Sequence, residues 1–542
     1  MNHRLIAILF ALAAAAQART VIVSPAGTTN GVGTKADPFS LMAAIAAIAP
    51  GDTILALGGK YPFVDQITID SSNCGVSGSL KHLFAAAGEV PVFDFSGQTF
   101  VYPPAGGANP RGIQINGNWW HLRGISVTKA ADNGIYVAGK NNVVEACATF
   151  GNFDTGLQLG RASSSQSSLS QWPSDNLILN CESYDNYDDP AKQVGGKGGA
   201  GENADGFAAK LTVGEGNVFR GCVSHHNIDD GWDLFTKVET GAIGTVTIDQ
   251  CVAHHNGSLT NGTASANGDR NGFKLGGSDM ANRHVVTRSV SYANGKDGFT
   301  WNSNPGEILV SNTLAFDNAD ANYKFGDAAT PTKAEFRNNL SFFTGAGVAV
   351  TDKHVGLDVD NSNCWWDKSK KQQSINAAGL IVSAADFAAD LSLYTLAKTT
   401  VARKPNGSLD LSVFGLAVGS DLLDAGTVPP ATHRGFEVGY YQGSPDLGAF
   451  ETGGTSGSLV RTFEQGGIHR QGGDLLVRTG AGARVRIEIV DVRGATHRVL
   501  VASPRAGVAR AAGALSGLGA GVWYARVLQV GASPAMAAIS LP

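Results

Sequence analysis

Charge is scarce in this chain. Only 16% of its 542 residues are Asp, Glu, Lys or Arg, and the formal net charge is −5. So weak a field of either sign excludes bulk electrostatic binding to nucleic acid or to a membrane surface. Long apolar runs are missing too. Beyond the first 16 residues nothing is long enough to span a bilayer, and that first run falls short of the roughly 20 residues required. Cysteines number only six; in an exported chain they would suggest disulfides, but the placement of four of them in a repeat argues otherwise. The leucine pattern of leucine-rich repeats and the Trp-Asp signature of propeller blades do not recur. What is abundant is glycine, at 70 residues, which points to many turns and short strands.

The N-terminus has the layout of an export leader. Met1-Asn-His-Arg4 is a short positive segment, Leu5 to Ala16 is apolar, and Ala16-Gln-Ala18 is a small-residue cleavage site. The expected location is secreted, extracellular or cell-surface attached. The expected division is a leader over 1–18, a catalytic domain over 19–452, a linker over 453–458 and a C-terminal module over 459–542. A monomer is expected.

From about residue 121 the chain repeats itself. Units begin at Ile125, Cys147, Cys181, Cys222, Cys251, Ser289, Thr313 and Asn339. Five positions into six of them stands an asparagine: Asn152, Asn186, Asn227, Asn256, Asn294 and Asn318. A glycine follows in Gly134, Gly156, Gly206, Gly231, Gly272 and Gly298. Short alternating runs such as Asn217-Val-Phe-Arg, Val246-Thr-Ile-Asp and His284-Val-Val-Thr end at turn-forming residues. The fold class expected is all-β: a parallel β-helix solenoid followed by a small β-sandwich. Stacked asparagines at a bend bond to their equivalents above and below, so that column is architecture. Residues 20–120 read as the start of the same solenoid, and Leu41 to Ile48 as a helix capping its open end. Two later segments, Ser420 to Gly426 and Pro445 to Glu451, read as closing strands.

The strand after each glycine places chemistry. Its first and third residues are apolar in every unit and face the core. The residue between them faces out, and that column reads Tyr136, Gln158, Ala208, Asp233, Lys274, Thr300, Lys324. Asp233 and Lys274 then stand on adjacent coils, about 4.8 Å apart. Asp205, Asp229 and Asp230 lie at related positions. Carboxylates so crowded repel unless a cation holds them, and a lysine beside a bound dication has a lowered pKa and serves as a base. The combination points to calcium-assisted proton abstraction from an acidic polymer. Lys324, two coils on, and Arg270 are candidates for substrate carboxylates. The stacked cysteines 147, 181, 222 and 251 read as small buried hydrophobes. His225 and His254 read as members of an aromatic column with Phe150, Tyr184, Tyr292 and Phe316, not as zinc ligands.

At Asn203-Ala-Asp-Gly-Phe-Ala-Ala-Lys-Leu211, Asn217-Val-Phe-Arg220, Asp229-Asp-Gly-Trp-Asp233 and Asn271-Gly-Phe-Lys-Leu275 the chain closely resembles the family nine polysaccharide lyases that act on pectate. The resemblance covers most of residues 20–452. It implies a right-handed parallel β-helix, one Ca²⁺ held by Asp205, Asp229, Asp230 and Asp233, and Lys274 as Brønsted base. It also implies polygalacturonate, or pectin, as the substrate, cleaved by β-elimination to 4,5-unsaturated products. Alternatives are a β-helix glycoside hydrolase using Asp229 with Asp230 or Asp233, a lyase on another uronate polymer, and a non-catalytic calcium-dependent polysaccharide binder. Residues 459–542 carry ten arginines, no lysine and four acids. Val490-Asp-Val-Arg-Gly494 and Leu518-Gly-Ala-Gly-Val-Trp-Tyr524 resemble the sorting domains of type-nine-like secretion systems, which implies export machinery as a partner.

Overall fold

Short strands that cannot bury an apolar face alone must stack, and here they stack in parallel. The computed structural model describes residues 18–101, 109–188, 201–264, 267–327, 330–345, 350–370, 372–397, 401–429, 444–451 and seven strands between Ile468 and Leu541. Three parallel sheets run through the first part, one of twelve strands and two of ten. Each full coil gives one strand to each sheet, and consecutive coils pair in register. The winding is right-handed, as parallel crossovers almost always are.

The repeat starts at the expected residues. The carbonyls of Cys147, Cys181, Cys222 and Cys251 each accept from the next coil at 2.9 Å. Asn217–Arg220, Val246–Asp249 and His284–Thr287 are strands with the expected bounds. The asparagine column is a continuous ladder. From Asn152 through Asn186, Asn227, Asn256, Asn294 and Asn318 to Asn322, each Nδ2 donates to the next Oδ1 at 2.8–3.0 Å. At this bend the left-handed residue is the one before each asparagine, among them Asp185 (φ 52°), His226 (φ 54°) and His255 (φ 53°). Non-glycine residues pay for that conformation, and the ladder amides hold the turn in place. At the preceding bend Asn180, Gly221 and Asn312 do adopt left-handed angles themselves.

Inside, Phe207, Trp232, Phe273, Phe299 and Tyr323 form one stack with centroids 4.7–5.3 Å apart. Cys147, Cys181, Cys222 and Cys251 are buried free thiols. Outside, Phe150, Tyr184, His225, His254, Tyr292 and Phe316 form the expected second stack, with ring planes within 10° of each other.

The helix Leu41–Ala47 is capped by Ser40, and it buries Leu41, Ala44 and Ile45 against the first coil. The expected closing strands are not strands. Residues 420–426 and 444–451 are turns and irregular chain, where Pro445 and the left-handed Gly448 (φ 90°) break any extended run. They still do a closing job. Leu422, Leu447 and Ala449, with Leu411 and Phe414, pack on Val252, Val290, Leu314 and the outer aromatic stack. Arg403 pins this segment by donating to Cys181 O and Gly221 O.

Farther on, the seven strands form two antiparallel sheets of three and four strands. The leader residues 1–17, the linker 453–458 and parts of the two sorting-like motifs (491–494 and 518–520) lie outside the described residues.

Trp232 is 0% exposed between Phe207 and Phe273. Trp232→Ala should lower unfolding stability by about 3–5 kcal/mol in urea melts. Asp233→Ala opens no core cavity and should melt close to wild type. Equal losses in the two variants would contradict the inward–outward assignment of this strand.

Candidate active site

One column of one sheet carries the chemistry. Register pairs run Tyr136–Gln158, Gln158–Ala208, Ala208–Asp233, Asp233–Lys274, Lys274–Thr300 and Thr300–Lys324. This is the outward column as read from the sequence. Outward does not mean exposed, however. Asp233 is 5% and Lys274 7% exposed, because the side chains of this face cover one another.

Asp205, Asp229 and Asp230 converge, each offering a carboxylate oxygen within 4.8 Å of the others. Asp205 and Asp230 precede paired glycines on adjacent coils, so the rung spacing itself brings them together. Asp229 Oδ1 accepts from the backbone of Asp269 at 2.5 Å, and Asp230 Oδ1 from Asn271 N at 2.7 Å. Asp230 Oδ2 is buried and accepts no hydrogen bond, although Lys274 Nζ lies 3.1 Å away. Burial pushes the carboxyls of Asp205 and Asp230 up to about 7, against the pull of Lys210 and Lys274; Asp233 adds to the rise at Asp205, and Asp205 and Asp233 add to it at Asp230. Burial, then Asp230 and Asp205, raise Asp229 as well.

Three buried hard-oxygen donors that resist ionisation together suit a divalent calcium-like cation. Asp233 faces differently. Its carboxylate lies 3.3 Å from Lys210 Nζ and 3.7 Å from Lys274 Nζ.

Lys274 Nζ also lies 3.0 Å from Asp269 Oδ2. Burial alone would lower its pKa, but Asp230, Asp233, Asp229 and Asp269 outweigh it and hold the ammonium well above its usual range. The expected lowering therefore does not come from the protein's own charges; these do the reverse.

Lys324 is paired to Asp297 at 3.1 Å and Asp320 at 3.3 Å and remains a third exposed. Arg270 is left-handed (φ 62°), with its stem against Gly257 and Gly295. Its backbone N–H reaches Asp229 Oδ1 at 3.4 Å, whereas its side chain makes no contact with the carboxylate cluster among the described residues.

Sequence reasoning passed over two residues. Lys210 Nζ donates to Asp205 Oδ2 at 2.6 Å. The alternation that turns Ala208 outward turns Lys210 outward too, so a signal was present. Asp269 belongs to an insertion outside the repeat and had no column to betray it.

The comparisons fit this geometry. The family description "Pel9A-like, right handed beta helix region" matches residues 21–339. The chain belongs to the Pel9A-like right-handed β-helix family. It is a polysaccharide lyase. Pectate lyase L of Paenibacillus polymyxa (strain SC2) is 47% identical over 406 residues, covering 75% of this chain and 83% of that protein. Pectate lyase L of Dickeya chrysanthemi is 34% identical over 441 residues, covering 80% and 90%. The crystal structure of pectate lyase Pel9A matches with a TM-score of 0.62 at 33% identity, over 80% of this lyase and 96% of that chain. A rhamnogalacturonan lyase matches with a TM-score of 0.58 at 25% identity, over 74% and 98%. No described helix is long and apolar enough to cross a membrane.

A carboxyl with a raised folded-state pKa keeps its proton after the unfolded chain has released it. Each such group therefore costs stability as pH rises from about 4 to about 7, and the cost then stays constant. In chelator, Asp230→Asn should melt above wild type at pH 8 and closer to it at pH 5. Added Ca²⁺ should raise the wild-type Tm more at pH 8 than at pH 5 and should not raise that of Asp230→Asn. Equal calcium shifts at both pH values, measured by calorimetry, would count against a carboxylate cation site.

Proposed function

We propose that this lyase cleaves polygalacturonate by calcium-dependent β-elimination, with Lys274 as the base. The observation that carries the reading is the placement of Lys274 Nζ, 3.1 Å from the buried Asp230 Oδ2 at the edge of the three-carboxylate cluster. Asp205, Asp229 and Asp230, with Asp233 beside them, would hold the calcium. When bound, the ion offsets their charge and polarises the uronate carboxylate.

The C5 hydrogen of galacturonate is acidified by its neighbouring carboxylate. Lys274 Nζ takes that proton, which requires the neutral amine. The electron pair left at C5 forms the C4–C5 double bond as the C4–O bond breaks, leaving a 4,5-unsaturated uronate. Asp269, and Asp233 on the neighbouring rung, aim the amine.

A second uronate polymer deserves a parallel assay, since a rhamnogalacturonan lyase shares this fold at 25% identity. Ultraviolet absorbance of the unsaturated product, followed on both polymers with chelator and then with Ca²⁺, tests the proposal. Chelation should abolish product and calcium restore it; full activity in chelator would remove calcium from the reaction. Lys274→Ala should lose at least roughly a hundredfold in turnover, and Lys274→Arg should do little better because guanidinium stays protonated. Activity should rise toward alkaline pH, since the surrounding carboxylates favour the ammonium form.

Residues 1–18 are proposed as an export leader, and 459–542 as a separate sorting or attachment module. Purified protein lacking 459–542 should keep its turnover on soluble substrate. A folded truncation that has lost turnover would refute this division.

A further inference from the structure

The face that carries the site also carries, three coils before Asp205, a cation that the proposed reaction does not use. Strand Ile113–Ile115 pairs with Ile135–Val137. Arg111 therefore occupies the place taken on later coils by Asn133, Thr155, Asp205 and Asp230. It stands three rungs before Asp205, about 14 Å along the solenoid axis.

The guanidinium is held rigidly. Its Cζ lies 3.5 Å from the centroid of the Tyr136 ring. Nε donates to Asn133 Oδ1 at 3.2 Å and Nη1 to Gln114 Oε1 at 2.7 Å. These supports are themselves fixed. Tyr136 donates its hydroxyl to Arg161 O at 3.0 Å, and Gln114 donates to Asn116 Oδ1 at 2.9 Å.

All of the supports are neutral. Lys210, Lys274 and Lys324 each face a carboxylate within 3.3 Å, whereas Arg111 has no ion-pair partner among the described residues. Its charge is the strongest one opposing the raised pKa of buried Asp132 and also acts on Asp154, but neither carboxylate pairs with it directly. The neighbouring stretch 102–108, Tyr-Pro-Pro-Ala-Gly-Gly-Ala, contains no acid. A guanidinium carries five N–H donors in a fixed fork, and two are engaged here. An oriented cation with donors to spare and no directly paired carboxylate among the described residues matches a carboxylate ligand.

We propose that Arg111, seated on Tyr136, forms a distal subsite for the carboxylate of a uronate residue remote from the one at Lys274. The proposal rests on the uronate-lyase reading of the site. A chain lying along this face would meet Lys274 at one sugar and Arg111 several sugars away.

The test is steady-state kinetics of wild type, Arg111→Gln and Arg111→Lys on galacturonate oligomers of increasing length, with calorimetric melting as a fold control. For Arg111→Gln, KM should rise roughly tenfold on the longest oligomers, the worth of one charge-assisted contact, with kcat nearly retained. The penalty should shrink as the oligomer shortens, and Arg111→Lys should recover part of it. A penalty independent of length, or a loss in kcat that follows a lowered Tm, would make Arg111 a structural residue and overturn the subsite. Unchanged KM on long oligomers would do the same. If wild type releases no unsaturated product, the lyase reading of this substrate fails separately. Calorimetric titration of wild type and Arg111→Gln with the same oligomers then still decides the subsite, with equal affinities counting against it.

Discussion

In-register pairing of consecutive coils is the constraint on which the rest of this molecule depends. Backbone hydrogen bonding sets the rung spacing at about 4.8 Å, and every side-chain column inherits it. The Asn152-to-Asn322 ladder and the Phe207-to-Tyr323 stack are products of that spacing, and they also enforce it. A slip of one residue would turn Asp233 and Lys274 inward and expose Trp232 and Phe273. The two stacks make such a slip costly, so the site inherits a rigid frame.

The same spacing forces like charges together. Asp205 and Asp230 sit one rung apart with no intervening residue to screen them, and burial removes the help of water. The protein answers with lysines. Lys210 reaches Asp205 and Asp233 from one side, and Lys274 reaches Asp230 from the other. This compensation is partial, as the raised pKa values of Asp205, Asp229 and Asp230 show. An incompletely neutralised carboxylate cluster is poorly stable by itself yet well suited to taking up a cation. Buried charge of this kind is better explained by function than by folding.

Much of this was legible in the sequence because a solenoid turns three-dimensional neighbours into a periodic pattern. The unit starts at Cys147, Cys181, Cys222 and Cys251, the asparagine column and the outward series from Tyr136 to Lys324 all followed from period alone. So did the reading of His225 and His254 as stacked rings. What failed lay where period ends. Residues 420–426 and 444–451 have strand-like composition but no rung to pair with, and they settled as irregular chain on an apolar flank. Burial was not legible either: alternation tells which face a side chain takes, not what covers that face. Without a cation the carboxylates around Lys274 raise its pKa instead of lowering it. Asp230, Asp233 and Asp229 act most, and Asp269, from an insertion that no column predicts, adds to them.

That insertion shows how a regular frame acquires chemistry. A coil tolerates extra residues only at its turns, since any residue added within a strand breaks register with both neighbours. The stretch from Ser258 to Arg270 enters at the turn before the strand of Lys274. Its last residues come back over the site: the backbone N–H of Asp269 binds Asp229, and its carboxylate holds both Lys274 and Lys296. Asp269 thus joins the proposed cation site to the proposed base through one residue. Movement of the loop at that point would disturb Asp229 and Lys274 together. The rungs fix where the charges stand along the axis, and the inserted turn fixes how the amine is aimed among them.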